Sequence, residues 1–412
     1  MSQKQTLKLS DLKEKAKLWL LNNQDATGGW AESRGRSASV LNTAEVMVAL
    51  LDAGVAPGHV LIKKAATFLL GQAMTTGADA GCWPRSIDEP GKTTKRQVPD
   101  TVRTCFVVTA LIKAAEPPDT GAVKNGLDWL LAIQNNSGAD RGWGYGRGMS
   151  SELWPTCLAI LSMVHASNAG VPNLQKPVEE ALGFLVNKWR NADGSFGTGV
   201  TQGVHTIYSA LALQGAQQAH FQLPGKDYDA EALSWLRLNP REARTMVEEY
   251  VRIDPQPNGP ANYQYTFVTD ALLVRVLTAS SVQEHRQSKF ASEALISLGE
   301  DFDDASGGFY GRHVFSWATA WALKALQEAE QVYPEVPEPK PDPPGARIGT
   351  YVLLLAIIEL AVTVYLIYTH QLSALIISFL IVLMFATLLA FGLIGEKTFS
   401  GIAEKIFGGS NK

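Results

Sequence analysis

The sequence predicts an all-α fold in which six helical hairpins are followed by two membrane-spanning helices. Large aromatic residues recur beside glycines along most of the chain, at Trp30, Trp83, Trp143, Phe196 and Phe309. Apolar residues at helical spacing precede and follow each of them, as expected for pairs of amphipathic helices. Near the end of the chain, two apolar stretches are each long enough to cross a bilayer.

The spacing of these aromatic residues indicates an internal repeat. Successive gaps between them are 53, 60, 53 and 113 residues. The last gap is about twice the others, so we expect six repeats, of which the fifth lacks its aromatic residue. A single hairpin cannot bury its apolar faces alone, whereas stacked hairpins share a continuous core.

Each predicted repeat has an outer helix, a glycine-containing loop and an inner helix. Glycine suits the loop because it adopts the positive φ that ends a helix and allows a sharp turn. The outer helices are predicted over 11–24, 60–72, 123–134, 177–190, 229–237 and 285–298. The inner helices are predicted over 41–53, 99–115, 151–167, 204–219, 263–279 and 314–330, with a long irregular loop in the fifth repeat.

The composition limits the classes of protein to be considered. Apolar residues make up 46% of the chain and charged residues 18%, which is typical of a globular protein. The net charge of -4 gives no reason to expect a nucleic-acid polymer as partner. The three cysteines, Cys82, Cys105 and Cys157, are odd in number and lack metal-ligand spacing, which favours a reducing cytosol and core positions.

Two segments resemble a known family of repeats. The heptapeptide QDATGGW, which ends at Trp30, and Gln134 followed by Gly142 and Trp143 resemble the Gln–Trp repeats of squalene–hopene cyclases. Similar hairpins occur in protein prenyltransferase β-subunits. The resemblance covers residues 11–330 and implies a single (α/α)6 toroid of six inner and six outer helices. Squalene–hopene cyclases have two such barrels, so this chain is too short to be one of them.

The catalytic motifs of the resembled families are not found where the resemblance would place them. Class II cyclases carry Asp-x-Asp-Asp at the start of an inner helix, whereas Asp301, Asp303 and Asp304 precede the last glycine turn. These residues and Asp100 are the candidates for catalysis; the loop acids alternatively form a solvated helix end or an incidental cation site. Protein prenyltransferases bind zinc through an Asp-x-Cys pair and a histidine, and no Asp-x-Cys occurs here. We therefore predict no metal and no cofactor.

Polar and aromatic residues of the predicted inner helices and their loops are candidates to line a ligand cavity. Helix N-termini and arginines at one mouth favour an anionic ligand, such as a phosphorylated or nucleotide-like molecule. The predicted ligand-binding residues are Arg85, Arg103, Arg141, Arg147, Glu152, Trp154, His205, Tyr208, Tyr265 and Trp317, and further candidates are Glu45, Asp270, Arg275 and Trp321. Alternatively, some of these side chains point outward or pair with each other.

The chain divides into four predicted regions. A cytosolic toroid covers 1–332, a proline-rich linker 333–346, a transmembrane hairpin 347–395 with spans 348–369 and 372–394, and a short amphipathic tail 396–412. Arg347 precedes the first span and Lys397 and Lys405 follow the second, so both ends are expected on the cytoplasmic side of the plasma membrane. Glu359 lies near the middle of the first span. It either faces a polar seam or pore between assembled hairpins or is an uncharged residue tolerated in a plain anchor.

Together these features favour a membrane effector. The toroid would bind a small ligand and control homo-oligomerisation of the hairpin, which would perturb or permeabilise the lipid bilayer. This layout resembles that of bacterial antiviral membrane effectors, an analogy of architecture. One alternative is a membrane-tethered terpenoid cyclase or prenyltransferase that acts on an isoprenoid lipid. Another is an anchored scaffold that binds a second protein.

Overall fold

The computed structural model describes 8–33, 35–87, 96–118, 121–222, 227–243, 247–253, 261–267, 269–280, 283–286, 288–309 and 315–333. The chain forms two compact units, Met1–Glu338 and Pro339–Lys412. The second unit lies outside the described residues, together with most of the linker, the predicted transmembrane hairpin with Glu359, and the amphipathic tail. None of the helices in the described part of the chain has the length and apolar character needed to span a bilayer.

The described part of the first unit is mostly helical and contains the predicted hairpins. The outer helices are α1 (Leu9–Asn22), α3 (Val60–Leu70), α5 (Gly121–Ile133), α7 (Gln175–Trp189), α9 (Tyr228–Leu238) and α13 (Lys289–Glu300). The inner helices are α2 (Val40–Asp52), α4 (Thr101–Lys113), α6 (Leu153–Asn168), α8 (Gln202–Gln218), α11 (Thr269–Thr278) and α14 (Ser316–Glu330). Two short helices, α10 (Pro240–Ala243) and α12 (Gln283–Arg286), lie in connections.

The inner helices form a closed ring. Helix α2 packs against α4, α4 against α6, α6 against α8, α8 against α11, α11 against α14, and α14 returns to α2. Each outer helix packs mainly against the inner helix of the preceding hairpin, and α1 lies against both α14 and α2. The first and last hairpins therefore meet, and the expected α/α toroid is confirmed.

The burial pattern explains why the two sets of helices occupy different layers. On α1 only one stripe is buried, formed by Leu9, Leu12, Ala16 and Leu20, which suits a helix with one face in solvent. On α8 most residues are buried, because the outer helices α7 and α9 cover one side and the inner helices α6 and α11 lie on either side of it. Polar side chains cap several helix starts; Asp100, for example, accepts a hydrogen bond from the Arg103 N–H at 2.9 Å.

The loops are less irregular than an all-α fold predicts. Antiparallel pairs form between β1 (Trp30–Ala31) and β2 (Ala38–Ser39), β3 (Pro84–Ile87) and β4 (Arg96–Pro99), and β7 (Phe302–Asp303) and β8 (Gly308–Phe309). The fifth repeat contains a longer hairpin of β5 (Val247–Ile253) and β6 (Ala261–Phe267). The predicted inner helix over 263–279 was therefore wrong at its start: α11 begins at Thr269, and Tyr265 lies on a strand.

Candidate functional site

The five recurrent aromatic residues are joints between helices. Each is fully buried, and its backbone N–H donates to the hydroxyl of a threonine on the following inner helix at 2.9–3.1 Å; the threonines are Thr43, Thr104, Thr156, Thr206 and Thr319. The indole N–H groups of Trp30, Trp83 and Trp143 donate to leucine carbonyls at the ends of the outer helices at 2.6–2.7 Å. The glycine-rich loops thus position the inner helices, and their aromatic residues face the core.

Glutamine completes two of these joints. The Gln24 side-chain amide donates to the carbonyls of Gly28 and Leu61, and Gln134 donates to those of Arg141 and Pro177. In both cases the second acceptor lies on the next outer helix. Gly28 has a φ of +92°, and a Cβ there would come within 2.8 Å of the Lys64 carbonyl on α3. Loop glycines of this kind allow neighbouring hairpins to approach closely.

Two of the predicted anion-binding arginines hold loops and outer helices together. Arg147 Nε donates to Asp79 at 2.9 Å, and the same carboxylate accepts from the indole of Trp129 on α5. Arg141 lies 4.0 Å from Glu180 on α7. Arg141 therefore contacts an outer helix directly, whereas Arg147 is linked to one only through Asp79.

Arg85 and Arg103 converge on Asp100 at the start of α4. The Asp100 carboxylate, which is 1% exposed, lies 2.8 Å from Arg85 Nη2 and 2.7 Å from Arg103 Nη1. Burial alone would raise the pKa of Asp100, but Arg85 and then Arg103 hold it below its usual value. The structure therefore places Asp100 as an ionised helix cap between two arginines.

Five aromatic rings form a chain across the interior of the ring, which we call the aromatic layer. Its successive contacts join Tyr145 to Trp154, Trp154 to Tyr208, Tyr208 to Trp321 and Trp321 to Phe106, with centroids 5.9–6.5 Å apart. Helix α14 is a neighbour of neither α4 nor α8 in the ring. The contacts of Trp321 with Phe106 and Tyr208 must therefore cross its interior. The predicted cavity residues Trp154 and Tyr208 do face inward.

Glu45 of α2 lies beside this aromatic layer. Its carboxylate accepts a hydrogen bond from Trp321 Nε1 at 3.0 Å. Glu45 lies deep within the protein but is partly accessible to solvent, as expected for a residue that faces the interior of the ring. Burial raises the pKa of Glu45 to about 7, against smaller opposing effects of Trp321 and Arg103. Part of the Glu45 population therefore keeps its proton at neutral pH.

The remaining sequence candidates are dispersed. Glu152 is exposed just before α6, and His205 is buried against the Gly197 loop, where a Cβ on the glycine would lie 2.6 Å from the imidazole Nδ1. Trp317 stacks on Phe315 at 5.7 Å. Asp270 accepts from Ser297 of the outer helix α13 at 2.7 Å, so its carboxylate turns away from the ring interior.

The acidic loop of the sixth repeat lies near the outer helix α1. Asp304 pairs with Lys15 of α1 at 2.9 Å. Asp303 is part of the short β7–β8 pair, and its backbone and side chain hold the turn through Ala305 and Gly307. Asp301 follows the last residue of α13. These contacts favour the helix-end interpretation of Asp301, Asp303 and Asp304.

A cavity of about 590 Å³ lies where the inner helices end, and we call it the polar cavity. All six inner helices contribute to its wall, so it is part of the ring interior. Its volume is typical of a small-molecule site. Most of its lining is polar: Asp52, Lys113, His165, Asn168, Gln214, Gln218, Arg275, Thr278, Arg286, Lys324, Gln327, Glu328 and Gln331, beside Leu161, Val164, Leu211, Gly215, Ala279 and Val332.

The centre of this lining is a carboxylate between two lysines. Asp52 Oδ1 lies 2.6 Å from Lys113 Nζ, and Asp52 Oδ2 lies 3.0 Å from Lys324 Nζ. Burial alone would raise the pKa of Asp52, but Lys324 and Lys113 hold it far below its usual value. Burial and then Arg275 lower the pKa of Lys324, whereas Asp52 opposes that shift. Asp52 is therefore ionised and lies in close contact with both lysines.

Two arginines, a glutamate and a histidine also line the polar cavity. Arg275 Nε donates to Glu328 at 3.1 Å, and its guanidinium lies 5.2 Å from the Trp321 ring, so the polar cavity adjoins the aromatic layer. Arg286 adds a fourth basic side chain. Burial, then Lys113 and Lys324, lowers the pKa of His165 to about 3, so its imidazole is neutral. Four basic side chains thus face two carboxylates.

The site residues predicted from sequence lie mostly at the opposite ends of the inner helices, so most of this cavity was not predicted. Of the lining residues, only Arg275 was among the candidates. A signal was available on α6, where Trp154, Leu158, Leu161, His165 and Asn168 recur at helical spacing and grade from apolar to polar. The described residues contain no cluster of three or more metal-ligating side chains.

The chain matches no protein-family model and no curated protein. Among solved structures, it is similar to an inactive variant of an α-1,6-mannanase from Salegentibacter sp. in complex with an α-1,6-mannotetrose, with a TM-score of 0.55 and 8% identity over 79% of this chain and 100% of that chain. A GH76 α-mannanase from Bacteroides thetaiotaomicron gives a TM-score of 0.52 and 10% identity over 79% of this chain and 96% of that chain.

A type II terpene cyclase from Scytonema, in complex with its substrate geranylgeranyl dihydroxybenzoate, is also similar. Its TM-score is 0.52, with 14% identity over 79% of this chain and 98% of that chain. Sugar-cleaving and terpene-cyclising enzymes therefore share this architecture, and function does not follow from the fold. At these identities the likeness shows that the first unit has the α/α toroid fold.

Proposed function

We propose that this chain is a membrane-anchored effector whose toroid binds a small anionic molecule in the polar cavity. The observation that carries the proposal is the excess of basic over acidic side chains around a cavity of about 590 Å³. Basic side chains are common in the last turn of a helix, where they stabilise the helix dipole. Lys324 lies more than a turn before the end of α14, so the helix dipole does not explain its position. A polar lining suits a hydrophilic ligand better than a prenyl chain.

The position of the cavity supports a link to the membrane. Gln331 and Val332 line it directly after α14, immediately before the proline-rich segment that leads to the apolar stretches 348–369 and 372–394. A ligand that contacts these residues would act on the start of the linker. In this proposal ligand binding promotes homo-oligomerisation, and the assembled hairpins perturb or permeabilise the bilayer, as in antiviral defence.

Dye-loaded liposomes that carry the full-length chain test the effector proposal. We expect a millimolar panel of nucleotides and sugar phosphates to include a compound that releases dye. A chain that ends at residue 338 should release none because it lacks both apolar stretches. Equal release from both chains, or no release with any compound, would contradict the proposal.

A second candidate function is an enzyme that acts on an isoprenoid lipid. The observation that favours it is Glu45, a carboxyl with a pKa of about 7 beside the aromatic layer, where it could donate a proton to an apolar substrate. The chain should then convert squalene or geranylgeranyl diphosphate to products visible by gas chromatography and mass spectrometry. Loss of these products in Glu45→Gln, with binding to the polar cavity unchanged, would favour the enzyme over the effector.

A further inference from the structure

We propose that the polar cavity takes the phosphate monoester of a hydroxyl-bearing molecule, and that Asp52 is a built-in competitor for the phosphoryl group. This inference rests on the proposed ligand-binding function and specifies its chemistry. It is carried by the geometry of Asp52, Lys113 and Lys324 and by the character of the surrounding side chains.

The Asp52 carboxylate occupies the position that a ligand anion would take. It bridges two ammonium groups from different inner helices, at 2.6 and 3.0 Å. Its single negative charge cannot neutralise both lysines, and all three side chains are at least three-quarters buried. An incoming anion must therefore compete with Asp52 for the lysines and bear its repulsion. A dianion competes better than a monoanion because four basic side chains outweigh Asp52 and Glu328, so a doubled charge increases the attraction more than the repulsion.

The rest of the wall favours a phosphoryl group over a carboxylate. Arg275 lies on helix α11, and among the described residues the only hydrogen bond of its side chain runs from Nε to Glu328, so its two terminal nitrogens can face an oxyanion. Arg286 lies on the same wall, and its Nε has no hydrogen-bond partner among the described residues. A phosphate monoester carries a charge near −2 and three acceptor oxygens, which suits two lysines and two arginines.

The polar cavity also has side chains that can bind the part of the ligand outside its phosphate group. Asn168, Gln218 and Gln331 are amides on three different helix ends, and each can donate and accept hydrogen bonds. Groups of this kind recognise hydroxyls or the edge of a base, whereas a bare inorganic anion would use only their donor side. The ligand class is therefore a sugar phosphate or a nucleotide.

Calorimetric titration of the full-length chain in nanodiscs tests this inference with ribose 5-phosphate, inorganic phosphate and ribose as probes. We expect ribose 5-phosphate to bind at least ten-fold more tightly than either of its parts. Lys324→Met should weaken its binding ten-fold or more, whereas Asp52→Asn should strengthen it several-fold. Lys176→Met and Asp128→Asn are matched controls on exposed parts of outer helices and should change nothing.

The outcomes separate this inference from the effector proposal. Absence of ribose 5-phosphate binding, or weaker binding after Asp52→Asn, would overturn the inference. Lys324→Arg keeps the charge and shows whether loss of binding in Lys324→Met reflects charge or folding. If the probe binds as expected but liposomes stay sealed, the inference stands and the effector proposal fails.

Discussion

At the scale of single residues, burial moves the ionisable groups of the ring interior in opposite directions. It raises the pKa of Glu45 to about 7 and lowers that of His165 to about 3. The cause is the same, since a buried site disfavours the charged form of either group. Both residues are therefore more neutral in the folded protein than in the unfolded chain.

Glu45 makes the stability of the toroid depend on pH. Its pKa in the folded protein lies above its usual value of 4.5, so its contribution to stability is greatest below pH 4.5 and falls as pH rises towards 7. At pH 8 the ionised carboxyl costs about 3 kcal/mol. Glu45→Gln should remove this loss. The free energy of unfolding of the variant, measured with urea, should therefore increase relative to that of the parent protein between pH 5 and pH 8.

The exposed residue Glu14 provides the control for this prediction. It lies on α1 with half of its side chain accessible, beside Lys17. Glu14→Gln should leave the difference between pH 5 and pH 8 unaltered. Identical pH profiles for Glu45→Gln and the parent chain would contradict a buried, partly protonated Glu45.

The contacts that a side chain makes were harder to predict from sequence than its chemical suitability for a site. Arg141 and Arg147 had the chemistry expected of a phosphate site, but Arg141 pairs with Glu180 of the outer helix α7 and Arg147 with Asp79 of the loop after α3. Lys113 and Asp52 looked ordinary because each is a single charge at the end of an apolar helix. Their proximity comes from the packing of α2 against α4, two helices of consecutive hairpins, which no local pattern in one hairpin reveals.

At the scale of secondary-structure elements, the repeated unit is a hydrogen-bonded joint. The aromatic residues and glycines were predictable from their period, but the threonine partners were not, because their separations from the aromatic residues are 13, 21, 13, 10 and 10. The β5–β6 hairpin had a usable signal in its alternating, aromatic-rich strands and the Asn258–Gly259 pair between them. Helical spacing further along α11 masked that signal.

Thr156→Val tests the importance of one joint. Valine keeps the shape of threonine but leaves the buried Trp143 N–H without its acceptor at 3.0 Å. We expect the free energy of unfolding to fall by about 1–3 kcal/mol, measured by chemical denaturation. Thr67→Val on α3 is the control, since its exposed hydroxyl only bonds within its own helix. Equal losses in both variants would show that the joint adds nothing.

At the scale of the whole molecule, ring closure joins distant parts of the chain. Lys13 of α1 pairs with Glu330 of α14, and the backbone N–H of Ser316 donates to the backbone carbonyl of Glu32 at 3.0 Å. Six similar hairpins and a toroid were predictable from sequence. The location of the cavity was not, because it depends on which side chains from different hairpins meet inside the ring.

The first compact unit should fold without the second. A chain of residues 1–338 contains every element of the described ring. We expect it to be a folded helical protein with one cooperative unfolding transition, because each inner helix is supported from both sides. Circular dichroism and calorimetry check this expectation, and two separate transitions would contradict it.

Closure also restricts how such a protein can change in size. An open array of repeats can gain or lose one unit, since only the neighbours at the cut must adapt. Here α1 lies against α14, so the last repeat is also the neighbour of the first. Removing one hairpin would leave a gap that the remaining five must bend to close, which would reshape the ring interior and the polar cavity together. The number of repeats and the volume of the polar cavity are therefore linked.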